Sequence, residues 1–96
     1  MIYHLMTAEE WKSKSDGQYL ATPDEMGFVH CCDERQLADV KAHFLPDEPE
    51  VVAVEIDPTL LSSETRYEEG VRGEPERFAH VYGPIEMSAV ARIRLV

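Results

Sequence analysis

Three of the four histidines in this chain lie in short apolar segments that also carry aromatic residues. His4 lies in the opening segment, His30 follows a glycine, and His80 precedes a Gly-Pro pair. Because side chains alternate along a strand, Phe28 should share a face with His30, and Tyr82 with His80. Near neutral pH, imidazole can donate, accept or transfer a proton. This distribution predicts that the three histidines meet at one ligand cleft.

The neighbouring residue types favour a nucleotide as the ligand. Phe28 and Tyr82 could stack against a base or a nicotinamide ring. Glu68, on a predicted strand, could accept a hydrogen bond from a ribose hydroxyl. Phosphate oxygens could be bound in bidentate fashion by arginines. The candidates for that contact are Arg66, Arg72 and Arg77.

Two other kinds of chemistry are available to the same segments. The histidines and the adjacent Cys31 and Cys32 are ligand types for zinc, but the chain has neither C-x-x-C nor histidines one helical turn apart. We therefore predict no metal site. Cys32 shares a face with His30 and could be a nucleophile. Free cysteines usually serve as small buried apolar residues, and we predict that role here.

Composition limits the partners of the chain. Ninety-six residues suit a single domain spanning residues 1–96. A net charge of −10, from 19 acidic and 9 basic residues, argues against non-specific nucleic-acid binding and against docking on anionic lipid. We expect a small-molecule nucleotide as partner, and a monomer or weak homodimer.

The compartment is predicted from the cysteines and the N-terminal segment. Two adjacent cysteines are unsuited to a disulfide framework, which indicates a reducing environment. No basic segment followed by a long apolar one opens the sequence. No apolar run approaches the roughly 20 residues that cross a bilayer. We expect a cytoplasmic protein.

Local patterns predict a compact α+β fold of mostly antiparallel sheets, with two helices in the N-terminal half. A capping box formed by Thr7 and Glu10 predicts a helix over residues 8–14. Asp33 should cap a second helix, whose core positions are Leu37, Val40 and Phe44. The predicted strands are residues 2–6, 27–32, 51–56, 65–68, 78–82 and 87–95.

The motifs resemble the small bacterial proteins called DUF952. The matching pieces are Ile2-Tyr3-His4 with Thr7 and Glu10-Trp11, Gly27-Phe28-Val29-His30-Cys31, a strand bearing Glu68, and Phe78-x-His80-x-Tyr82-Gly83-Pro84. The resemblance covers essentially the whole chain. That family looks like a compact relative of the ADP-ribosyltransferase superfamily and is similar to RNA 2′-phosphotransferases, which use NAD as acceptor. It implies two small sheets around an NAD-type cleft.

The resemblance also implies roles for individual residues. His4 matches the first-strand histidine that holds a ribose of NAD in the superfamily, and His30 and His80 match the motif histidines of DUF952. The superfamily glutamate that polarises the nicotinamide ribose is assigned to Glu68, with Glu74 and Glu76 left open.

The leading hypothesis is an NAD-dependent ADP-ribosyltransferase-like or phosphotransferase-like enzyme. Its predicted catalytic residues are His30, His80 and Glu68, and its predicted cofactor-binding residues are His4, Tyr82, Phe28 and Arg66. One alternative is a non-catalytic module that binds a nucleotide or another small metabolite. A third hypothesis is an interaction domain that dimerises through the strand at residues 87–95.

Overall fold

A computed structural model of the chain describes residues 1–70, 73 and 75–96. Within these residues, two helices and eight strands form an α+β fold in which every strand pair is antiparallel. The helices are α1 (Ala8–Lys14) and α2 (Leu37–Phe44). The strands are β1 (Ile2–Thr7), β2 (Tyr19–Ala21), β3 (Val29–His30), β4 (Val51–Ile56), β5 (Glu64–Glu69), β6 (Arg77–Tyr82), β7 (Ile85–Glu86) and β8 (Val90–Leu95). The predicted fold class is confirmed.

The strands form three small sheets in the described part of the chain. One has the order β1-β4-β8, another β3-β6-β5, and a two-stranded sheet joins β2 to β7. The pair β2-β7 is additional to the two sheets that the resemblance implied. All six residues of β4 are buried, as its run of β-branched residues predicts for a central strand. The fold therefore places β1, which carries His4, against a fully covered strand.

A charged residue on β4 is compensated within the sheet. Glu55 is 7% exposed, and its Oε2 accepts hydrogen bonds from the Tyr3 hydroxyl at 3.1 Å and from Arg92 Nε at 2.8 Å. Arg92 holds the pKa of Glu55 below its usual range, so this carboxylate stays ionised. The contacts join all three strands of the sheet through side chains.

Helix α1 forms as its capping box predicts. The Thr7 hydroxyl accepts a hydrogen bond from the backbone N–H of Glu10, and the Glu10 carboxylate accepts one from the N–H of Thr7, both at 3.1 Å. The box satisfies backbone donors at the start of the helix that no carbonyl can reach. It also ends β1 at a defined residue, Thr7, which fixes the position of His4 along the strand.

Two predictions on secondary structure are wrong in part. The segment after Asp33 begins as a 3₁₀ turn, and Phe44, which was expected in the core, is 55% exposed. The strand predicted over residues 87–95 begins only at Val90, because Met87–Ala89 form a 3₁₀ turn. The Met87 N–H there donates to the carbonyl of Gln18, and the Ala89 carbonyl accepts from Asp57. These distant contacts separate β8 from β7, which lies before the predicted strand.

Replacing Gln36 by leucine is expected to destabilise the fold by about 1–3 kcal/mol. Gln36 is 1% exposed; its Oε1 accepts from the N–H of Asp33 and its Nε2 donates to the Arg77 carbonyl, both at 2.9 Å. Leucine would leave both backbone groups without these partners. Urea denaturation measures the change, with the exposed Gln18→Leu as control. Equal stabilities of the two variants would contradict the expectation.

Candidate functional site

The pairing of β3 with β6 places His30 directly opposite His80. Their ring centroids lie 5.8 Å apart, with an angle of 69° between the planes. Phe28 stacks on His80 with its centroid at 4.0 Å and an angle of 18°. The positive φ of Gly27, 88°, accommodates the turn that leads into this segment. The predicted alternation of Phe28 and His30 on one face is thus observed.

Each of the two facing histidines has its own carboxylate partner. His30 Nε2 lies 3.0 Å from Oδ2 of Asp24, which belongs to the turn before β3. His80 Nδ1 lies 2.9 Å from Oε1 of Glu68 on β5. In the register of β5 and β6, Arg66 is opposite His80, so Glu68 reaches the ring from a diagonal position. Two imidazole–carboxylate pairs therefore lie on neighbouring strands, with their rings edge-on to each other.

Glu68 is held ionised by its neighbours. The Tyr82 hydroxyl donates to Glu68 Oε1 at 2.5 Å, the same oxygen that His80 contacts. The hydrogen bonds from Tyr82 and His80 lower the pKa of Glu68, while the bond to Glu68 raises the pKa of Tyr82. The Arg66 guanidinium lies 4.5 Å from the centroid of the Tyr82 ring and forms an ion pair with Glu64. These contacts orient Glu68 toward His80.

His4 is fixed by a backbone contact next to the same site. Its Nδ1 lies 2.7 Å from the carbonyl oxygen of His30. Because a carbonyl can only accept, Nδ1 must carry the hydrogen, and the neutral ring then has Nε2 as its acceptor. Burial lowers the pKa of His4, which favours this neutral form.

A cavity of about 300 Å³ brings the predicted histidines together, since His4, His30 and His80 all line it. Its other described lining residues are mostly apolar: Tyr3, Leu5, Cys31, Cys32, Val40, Phe44, Leu45, Gly70 and Phe78. The remaining predicted site residues lie around His80 and do not line the cavity. Among the described residues, these are Phe28, Arg66, Glu68 and Tyr82.

Comparison with known proteins identifies the family. The family model described as "Protein of unknown function (DUF952)" matches residues 5–93. The chain belongs to the DUF952 family. No curated protein matches it.

This DUF952 fold is also similar to a solved structure, protein CC0527 from Caulobacter crescentus. The two are 21% identical with a TM-score of 0.79, over 98% of this chain and 83% of that one. A double methionine mutant of CC0527 gives the same values. At this identity, the likeness supports the fold alone. Among the described residues of the DUF952 chain, no helix combines the length and the apolar character needed to cross a bilayer.

The two cysteines of this DUF952 protein are free and buried. Burial raises the pKa of Cys31 far above its ordinary value and that of Cys32 to about 12. Both thiols are therefore protonated near neutral pH. A cysteine nucleophile would instead have to be a thiolate. Cys31 belongs to the main apolar core and Cys32 to a second cluster with Tyr3 and Leu37. The predicted role as small apolar residues agrees with these positions.

The positions of some glutamates and arginines that the sequence left as alternative site residues are now known. Glu76 forms an ion pair with Arg35, with 2.6 Å between its Oε1 and Nη1 of the guanidinium. Arg77 donates to the carbonyl of Tyr67. Glu74 and Arg72 lie outside the described residues.

Asp24, in the turn before β3, was missed by the sequence analysis. The signal was available, since a carboxylate six residues before His30 in a Pro-Asp turn can reach back to it. The turn itself depends on the same side chain, because Asp24 Oδ1 accepts from the N–H of Met26 at 2.8 Å. That hydrogen bond is the main reason the pKa of Asp24 is lowered.

Acidification is expected to destabilise this DUF952 protein through His4. Burial lowers the pKa of His4 from 6.5, so below that pH the unfolded chain binds a proton that the folded chain does not. The contribution of neutral His4 to the free energy of unfolding is therefore complete above pH 6.5, and it is lost as the pH falls toward the pKa of His4 in the folded chain. His4→Gln should reduce this loss between about pH 7 and pH 5.5, measured by urea denaturation. Identical pH slopes for the wild type and the variant would contradict it.

Proposed function

We propose that this protein is a nucleotide-binding transferase that acts on NAD or a related ADP-ribose-bearing nucleotide, moving an ADP-ribosyl or phosphoryl group. Two facing histidines, each held by its own carboxylate, are the observation that best supports this function. Groups of this kind, placed beside a cavity, suit general acid–base catalysis. The choice of NAD as the nucleotide comes from the resemblance of DUF952 proteins to ADP-ribosyltransferases.

In the reaction we propose, the bond between C1′ of the ribose and the nicotinamide nitrogen breaks, and nicotinamide leaves with the bonding electrons. An acceptor hydroxyl attacks C1′ and gives its proton to Nε2 of His80. Since Nδ1 of His80 already contacts Glu68, the carboxylate orients the ring and stabilises the imidazolium that forms. His4 and His30 position the ribose, and the pair of His30 with Asp24 holds the turn before β3 against the site.

Calorimetry tests the binding of NAD, and a nicotinamide-release assay tests the reaction. We expect saturable heat with NAD at millimolar concentration, and release that is lost in His30→Ala. His43→Ala is the matched control, because His43 is exposed on α2 and its Nδ1 contacts the carbonyl of Asp39 in its own helix. No heat and no thermal stabilisation by NAD would count against binding. Equal release from wild type and His30→Ala would remove His30 from the mechanism.

A second candidate is a non-catalytic module that binds a nucleotide or small metabolite. The burial of His80, only 3% exposed, favours it, because a proton-transfer group needs access to the reacting atoms. This candidate predicts saturable binding of NAD without release of nicotinamide. The same two measurements therefore separate the candidates.

A further inference from the structure

We infer that the cavity takes the nucleoside part of the ligand, a flat uncharged ring with its ribose diol, and that the phosphates lie outside it. The inference deepens the proposed function and rests on it. It follows from the charge of the cavity wall, the tautomers of two histidines, and the cavity volume.

The wall of the cavity is unsuited to phosphate. Among the described residues that line it, none is lysine or arginine, and histidines are the only ionisable side chains of basic type. A buried phosphate needs cations and several donors to offset the loss of its hydration. Leu5, Val40 and Leu45 offer instead an apolar surface, with the Phe78 ring beside them. Such a wall favours an uncharged ring.

The two histidines with fixed tautomers call for donors on the ligand. Nδ1 of His4 is bound to the His30 carbonyl, and Nε2 of His30 to the Asp24 carboxylate. Within the described part of the chain, neither Nε2 of His4 nor Nδ1 of His30 has a hydrogen-bond partner, and the unprotonated nitrogen of a neutral imidazole can only accept. A ribose hydroxyl can donate to such a nitrogen, whereas an ionised phosphate oxygen cannot. The two acceptors equal in number the two hydroxyls of a ribose diol.

The volume limits how much of a dinucleotide can enter. A cavity of about 300 Å³ is at the lower end of the range for small-molecule sites. It suits one ring and its sugar, so the second nucleotide unit and the linking phosphates must extend into solvent. The ligand is thus recognised by its nucleoside end.

Calorimetry with fragments tests this assignment on the intact protein. Adenosine, whose ring is uncharged, should bind, whereas ribose 5-phosphate and pyrophosphate should give no heat at the same concentration. Adenosine lacking both the 2′- and 3′-hydroxyls should bind at least about tenfold more weakly than adenosine, because both acceptors lose their donors. Pyrophosphate binding as tightly as the nucleosides would overturn the inference, and so would equal affinities for adenosine and its dideoxy analogue.

Val40→Trp provides the matching protein variant, because it fills the cavity from α2. It should abolish nucleoside binding, while His43→Trp, an exposed position on the same helix, should retain it. Thermal melts confirm folding, and Leu45→Trp serves if the first variant does not fold. Unchanged binding in a folded cavity variant would overturn the inference.

The outcomes also separate this inference from the proposed function. Nucleoside binding without any turnover of NAD would leave the inference standing and remove the transferase function. Turnover of NAD that persists in a folded Val40→Trp protein would support the transferase function and overturn the inference about the cavity.

Discussion

Replacing Glu68 by glutamine is expected to lower kcat for nicotinamide release by about 10²–10⁴-fold, the range typical of general acid–base groups. Glutamine keeps the length of the side chain but carries no charge, so it cannot stabilise an imidazolium at His80. The glutamine amide has one acceptor oxygen for Tyr82 and His80. That oxygen carries no negative charge, so it attracts the two donors less strongly than the carboxylate does. Because Glu68 acts through His80 in the proposed mechanism, KM for NAD should change far less than kcat.

Glu69→Gln is the control for this measurement. It makes the same change of charge on the next residue of β5, which points to the opposite face of the strand. We expect its kcat to stay at the wild-type value. A Glu68→Gln protein as active as Glu69→Gln would exclude Glu68 from catalysis, and a parallel rise in KM alone would assign it to binding.

Phe28→Ala is expected to reduce the free energy of unfolding by about 3–5 kcal/mol, as buried aromatic truncations do. Phe28 is 6% exposed, and its ring contacts those of His80, His30 and Tyr82 with centroids at 4.0, 4.7 and 5.3 Å. Domains of this size are stable by only about 5–15 kcal/mol, so the loss is a large fraction of the total. Chemical denaturation measures it directly.

Two further variants show which property of Phe28 matters. Phe28→Leu keeps most of the apolar volume and should cost less than about 1.5 kcal/mol, yet it removes the flat surface on which His80 stacks. Met26→Ala, at an exposed position of the same turn, should change stability by less than about 0.5 kcal/mol. If Phe28→Ala were no less stable than Met26→Ala, the ring would not be part of the packed structure.

Local patterns in the sequence predicted most of the elements. The β-branched run at residues 51–56 indicated a covered strand, and the box of Thr7 and Glu10 marked the start of α1. Both signals depend on residues close in the chain. The 3₁₀ turn at the start of residues 87–95 was missed because it depends on Gln18 and Asp57, which are far away in sequence.

The site was predicted less completely than the fold. Sequence alternation identified the face shared by Phe28 and His30, but nothing local could predict that His30 lies opposite His80, because strand register is set by long-range pairing. Phe44 has the spacing of a core residue, yet it lines the cavity with more than half of its surface exposed. Helical periodicity predicts which face turns inward, and does not predict how tightly that face is packed. The catalytic and cofactor-binding roles themselves stay predictions.

The direct pairing of His30 with His80 has a consequence for how the protein could evolve. A slip of one position between β3 and β6 would turn one ring of the pair to the opposite side of the sheet and would expose Val29 or Val81, which are now buried. Insertions or deletions inside these strands should therefore be eliminated by selection for folding, even in a lineage that no longer needs the histidines. Loss of the proposed activity would proceed by substitution of single histidines, with the backbone framework preserved.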